Sequence, residues 1–197
     1  MPRVGMEPIR RKALIEAAIE TIGARGNLDV TMSQIARSAG VSPALAHHYF
    51  GGKNQLFLAT MRHLLSDFAE GVREALRTSD TPRARISGII RQSFGPDQFV
   101  PATVAAWLAF YVLAQSDPQA RRLLGIYGRR LNSNLVDALV QIAPRAAALR
   151  IAEGIAALID GLYIRRALKH GPPDPASAIA LVENYVDTEL AALEGRQ

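Results

Sequence analysis

Apolar residues return every third or fourth position along nearly the whole chain, a period that suits α-helices and little else. Ile9, Ala13, Ala17 and Ile22 mark one such stripe. Ile151, Ile155, Leu158, Ile159 and Leu162 mark a second, and Ile179, Val182, Tyr185, Val186 and Leu190 a third. No run alternates strictly between apolar and polar residues, and no Asn-Gly or Asp-Gly pair offers a hairpin turn. Glycine and proline cut the stripes into lengths. They predict helices over about 7–25, 32–39, a short one opening at Ser42-Pro43, then 53–78, 82–93, 101–116, 118–143, 145–169 and 174–194. The fold class is therefore all-α.

One of these segments could be mistaken for a membrane span. Gln98 to Ser116 is nineteen residues without a charge, close to the roughly 20 that a bilayer needs. Its dense apolar part covers only Val104 to Ala114, and Asp97 and Asp117 bound it, so a buried helix is expected. The N-terminus has no apolar core of the kind a signal peptide carries, and the chain has no cysteine. Both features suit a cytoplasmic protein, and the second excludes disulfides and thiolate metal sites. The net charge of +5 is unevenly spread. Residues 1–56 hold 7 Lys+Arg against 4 Asp+Glu, and the much longer remainder holds 16 against 14. A basic N-terminal part is compatible with a polyanionic partner.

The stretch from Thr31 to Leu56, TMSQIARSAGVSPALAHHYFGGKNQL, supplies the shape such a partner would need. Thr31 can cap one short helix, Gly40 can make the turn, and Ser42 can cap a second helix with Pro43 in its first turn. Small residues at the start of that second helix would let it sink into a major groove. Ala44 and Leu45 can touch thymine methyls, and His47 can reach a base edge or a phosphate. His48, Tyr49 and Lys53 can hold phosphates, as can Thr31 with the amides of its helix start. Two readings stand on pattern alone, DNA binding and plain helix packing, with Phe50 expected in the core under either. His47 and His48 do not suggest a metal site, because adjacent helical residues point about 100° apart.

The same stretch resembles the DNA-binding signature of the TetR family, with its threonine at the helix start, IARSAGVS, the aromatic pair, the lysine and the following leucine. The resemblance implies an N-terminal three-helix helix-turn-helix domain over residues 1–56, and a larger helical domain over 57–197 for ligand binding and dimerisation. It implies that Pro43, Ala44, Leu45 and His47 face bases, and that Thr31, His48, Tyr49 and Lys53 face phosphates of a palindromic operator bound by a homodimer. Gly51-Gly52 ahead of the lysine departs from many members, and is expected to loosen the link into the next helix. The segments IRRKALIEAAIE, HYFGGKNQLFLATMR, AAWLAFY, RRLNSNLVDAL and IAALIDGLYIRRAL are similar, in order, to one branch of that family. Its members are choline-responsive repressors of glycine betaine synthesis. The runner-up is a repressor of the same family serving another pathway, such as efflux, and sensing a different apolar or cationic molecule.

The C-terminal part is where an effector would bind. Seven of the chain's twelve aromatic residues lie between 94 and 163. Trp107, Phe110 and Tyr111 share a helical face, which suits either core packing or a cage for an organic cation. Asp160 stands in the apolar run GIAALIDGLYI with Tyr163 one turn on. If buried, it needs a positive partner: Arg165 or Arg166, or else a quaternary ammonium such as choline. The stripes of the last two helices either complete the core of one chain or meet a second copy, and the family resemblance implies the second. An enzyme is not expected, since the sequence has no phosphate loop, no GxSxG and no HExxH. Nor is a cofactor or a metal, because the four histidines lack ligand spacing.

Overall fold

The computed structural model describes residues 6–168 and 171–195, and these are helical without a strand. The helices are α1 Met6–Arg25, α2 Met32–Ser38, α3 Pro43–Phe50, α4 Lys53–Arg77, α5 Pro82–Ser93, α6 Pro101–Ser116, α7 Pro118–Leu139, α8 Arg145–Ala167 and α9 Pro175–Glu194. Proline is the first residue of five of them, where its missing N–H would have had no helical partner in any case. Thr81 and Asp174 cap α5 and α9 by accepting the amides of Ala84 and Ser177. The expected helix over 118–143 ends early, at Leu139, in a turn before Pro144. Lys169, the end of another expected helix, and His170 lie outside the described residues.

Two compact units make up the chain. The first is Met1–Ser66 with Pro101–Leu124, and the second is Asp67–Val100 with Gly125–Gln197. The division falls within α4 and within α7.

In the first unit, Leu14, Ala18 and Ile22 of α1 are fully buried with Val30, with Ile35 and Ala36 of α2, and with Ala46 of α3. Each buried Leu or Ile contributes about 1.5–3 kcal/mol, while the alanines let the short helices approach one another. α6 crosses α1 at Gly23, which lies so close to the backbone of Ala102 that no side chain fits between them. No described helix is long and apolar enough to cross a membrane.

In the second unit, α8 packs on α9 through Ile151, Ala152 and Ile155 on one side and Val182 and Val186 on the other, all fully buried. Gly154 makes room for the Tyr185 hydroxyl. Arg83 of α5 reaches α9 and binds Glu183 at 2.6 Å and Asp187 at 2.7 Å, and Arg150 binds Glu189 at 2.6 Å. The deepest members of both apolar stripes thus serve the core of this chain. Leu149, Ile164 and Leu168 on or next to α8, and Leu181 on α9, remain exposed.

Candidate nucleic-acid interface and effector residues

The helix-turn-helix geometry follows from local chemistry. Thr31 and Gln34 form a reciprocal cap: the Gln34 amide donates to the Thr31 hydroxyl at 3.2 Å, and the Thr31 amide donates to Gln34 Oε1 at 2.8 Å. Gly40 takes φ +67°, a left-handed value that lets Val41 N–H return to the Ala36 carbonyl at 2.9 Å and turn the chain. Ser42 then caps α3 through the Leu45 amide at 3.2 Å. The outcome is a helix with two unlike sides. Ala46 and Phe50 are buried, Leu45 and Tyr49 are half-buried, and Pro43, Ala44, His47 and His48 are exposed, as are Thr31 and Ser42.

Gly51 ends α3 at φ +77°, its amide donating to the His47 carbonyl at 2.7 Å, and the Gly52 carbonyl accepts the Leu56 amide to start α4. The pair makes a defined corner between the two helices. A left-handed residue stops the helix, and glycine takes that conformation without strain. Lys53 is half-buried at the start of α4, with its ammonium 3.5 Å from the Leu28 carbonyl and 5.6 Å from the centre of the Phe57 ring. His47 Nδ1 lies 3.2 Å from the Gly51 carbonyl. A carbonyl can only accept, so Nδ1 is the donor of this bond.

Sequence reasoning passed over Arg11 of α1. Its guanidinium donates to the Tyr49 carbonyl and stands 4.4 Å from the centre of the Phe50 ring, at the C-terminal end of α3. Arg11 sits amid an ordinary amphipathic stripe, and nothing in the local pattern marks it.

The expected effector residues fall into both units. In the first, Trp107 and Phe110 are buried, Tyr111 is half-buried, and the Trp107 and Tyr111 rings lie 6.2 Å apart. In the second, Tyr163 is buried and donates to the Ser93 carbonyl at 2.6 Å and towards the Gln98 carbonyl at 3.3 Å. Its ring meets Phe99 at 5.4 Å and Phe94 at 6.2 Å, and Phe68 meets Tyr127 at 5.2 Å. Asp160 is exposed, so the premise of a buried carboxylate is corrected. The buried line of α8 runs through Ile151, Ile155, Ile159 and Tyr163, and Asp160 is rotated off it by about 100°. Asp160 is still close enough to be felt. Burial pushes the Tyr163 and Tyr127 phenols above their ordinary range, and the Asp160 charge pushes both further. Arg166 is almost wholly buried and donates to the Gly171 carbonyl at 2.8 Å, while Asp97 is exposed. Among the described residues no group of three His, Asp or Glu side chains could hold a metal.

Residues 14–60 match the family of bacterial regulatory proteins called tetR, and residues 82–191 match the C-terminal domain of BetI-type transcriptional repressors. The chain is 60% identical over 190 residues to the HTH-type transcriptional regulator BetI of Brucella anthropi, covering 96% of this chain and 98% of that protein. A transcriptional regulator of Pseudomonas aeruginosa PAO1 shares the fold with a TM-score of 0.80 at 26% identity, covering 98% of this chain and 96% of that one. A Saccharomonospora viridis regulator solved in complex with choline has a TM-score of 0.77 at 20% identity, covering 90% of this chain and 95% of that one. With its helix-turn-helix unit and its C-terminal helices both matched, the chain belongs to the TetR family of transcriptional repressors, in the BetI-type branch, and is a DNA-binding regulator rather than an enzyme.

Proposed function

We propose that this chain is a cytoplasmic, choline-responsive repressor of genes for glycine betaine synthesis, and that it binds a palindromic operator as a homodimer. The observation that carries the reading is the full-length likeness to regulators named BetI, at 60% identity. In this reading residues 1–56 bind DNA, and 57–197 bind the effector and the second subunit. Pro43, Ala44, Leu45 and His47 meet bases. Thr31, Ser42, His48, Tyr49 and Lys53 hold phosphates and fix the register. The exposure of Pro43, Ala44, His47 and His48 beside a buried Ala46 and Phe50 supports this assignment. A gel-shift titration tests it. Lys53→Ala should weaken binding to every duplex alike and lower the salt slope by about one ion per subunit. His47→Ala should instead relax preference at one base pair. A wild-type protein that ignores duplex DNA at low salt would refute the assignment.

For the effector, a cation favours aromatic faces and a nearby anion. Each ring contributes about 0.5–2 kcal/mol towards a quaternary ammonium. In the second unit Asp160, with Tyr163 and Tyr127 within its electrostatic reach, supports such a role. In the first unit Trp107 and Tyr111, beside the buried Phe110, are the expected aromatic residues. That a regulator of this fold holds choline is in keeping with the reading, although at 20% identity the likeness speaks for the fold alone. Calorimetry with choline should give a Kd between about 1 μM and 1 mM. If the second unit holds choline, Asp160→Asn should weaken its binding at least tenfold and leave operator binding intact; if the first unit holds it, Trp107→Ala should do so instead. A hundred-fold release from the operator requires about 2.7 kcal/mol of coupling, and the operator must weaken choline binding equally. No heat from choline at millimolar concentration would leave the repressor but remove this effector.

A further inference from the structure

Eight residues make a short helix, and the carbonyls of its last turn have no partners within it. α3 is such a helix, and its angle decides which side chains reach a base. Its N-terminal end is held by Ser42 and its inner face by Ala46. Its C-terminal end is held from outside, by Arg11 of α1. The guanidinium donates to the Tyr49 carbonyl, stands over the Phe50 ring at 4.4 Å, and has the Glu7 carboxylate 3.8 Å from Nη1.

We infer that Arg11 is a positioning residue for DNA reading: it fixes the tilt and rotation of α3 and touches no base itself. The hydrogen bond constrains the helix end along its axis, and the ring contact constrains rotation about that axis. A cation at a helix C-terminus is also favoured by the helix dipole. Arginine suits the role because a planar fork can bond a carbonyl and lie on a ring at once, which a lysine ammonium cannot do. The inference rests on the DNA reading of α3 given above.

The experiment uses the full chain and an operator duplex recovered by wild-type protein from random sequence, with a scrambled duplex as reference. A wild type that recovers no preferred sequence refutes the DNA reading itself, before any variant is compared. Arg11→Lys keeps the charge and loses the plane. Its preference for operator over scrambled duplex should fall by about tenfold with the salt slope unchanged, because no phosphate contact is lost. Hydrogen exchange at the amides of His47 to Phe50 should quicken by a similar factor while α4 exchanges as before. Phe50→Leu, which removes the ring but no charge, should reproduce both effects more weakly. Unchanged preference and exchange in Arg11→Lys would overturn the inference. So would an equal loss on both duplexes with the Arg11→Ala salt slope lowered by about one ion per subunit, the signature of a phosphate contact. A global drop in thermal midpoint that tracks the lost preference in both variants would reduce Arg11 to a general support of the fold, and would overturn it too.

Discussion

Gly51 carries a conformational demand that can be isolated, since a Cβ built on it meets nothing within 4 Å while its φ is +77°. Gly51→Ala should therefore cost only backbone strain, about 1–2 kcal/mol, seen as a lowered midpoint in thermal unfolding. An unchanged midpoint would mean that the corner relaxes freely. Single residues also show where the sequence misleads. Asp160 reads as buried because its neighbours are apolar, yet burial on a helix depends on rotation about the axis, and α8 turns Ile159 and Tyr163 inward and Asp160 out. Phe94 and Phe99 flank the Gly95-Pro96 break between α5 and α6, and nothing in that local pattern shows that their rings meet at 5.1 Å in the core of the second unit. Only tertiary packing decides such cases.

Helix boundaries were far more legible, because they depend on local chemistry. Thr31, Ser42, Thr81 and Asp174 are caps, and the prolines at 82, 101, 118 and 175 open helices, for reasons confined to three or four residues. What those reasons do not contain is which helices touch. Gly23 looks like an ordinary weak point in α1, yet it is where α6 crosses. Gly23→Ala must push the new Cβ against the Cα and Cβ of Ala102, atoms that cannot swing aside. It should destabilise the protein by about 1–3 kcal/mol in urea unfolding. Gly128→Ala in α7, where a Cβ meets nothing and φ is ordinary, should instead stabilise by about 0.5–1 kcal/mol. Equal effects from the two would show that the crossing is not tight.

For the molecule as a whole, the open question is its second copy. Val182 is fully buried in the chain's own core, so a charge placed there would unfold the protein and report nothing about assembly. Leu181, one position before it, is 48% exposed and is the better probe. If two copies meet through α8 and α9, Leu181→Glu should sediment as a monomer with native helicity and lose most operator affinity, because a two-fold site then binds one half at a time. A dimeric Leu181→Glu protein with full affinity would move the interface elsewhere.

The chain's single tryptophan, Trp107, is 3% exposed and stacked at an angle on Tyr111 within the unit that holds α3. Its fluorescence is therefore a built-in gauge of that unit. Emission excited beyond the tyrosine band comes from one indole shielded from water, and it shifts to the red only when the surroundings of α6 open. The other unit is dark at that wavelength. Read beside circular dichroism, which counts all the helices, tryptophan emission separates a chain that melts as one body from a chain whose two units let go at different temperatures.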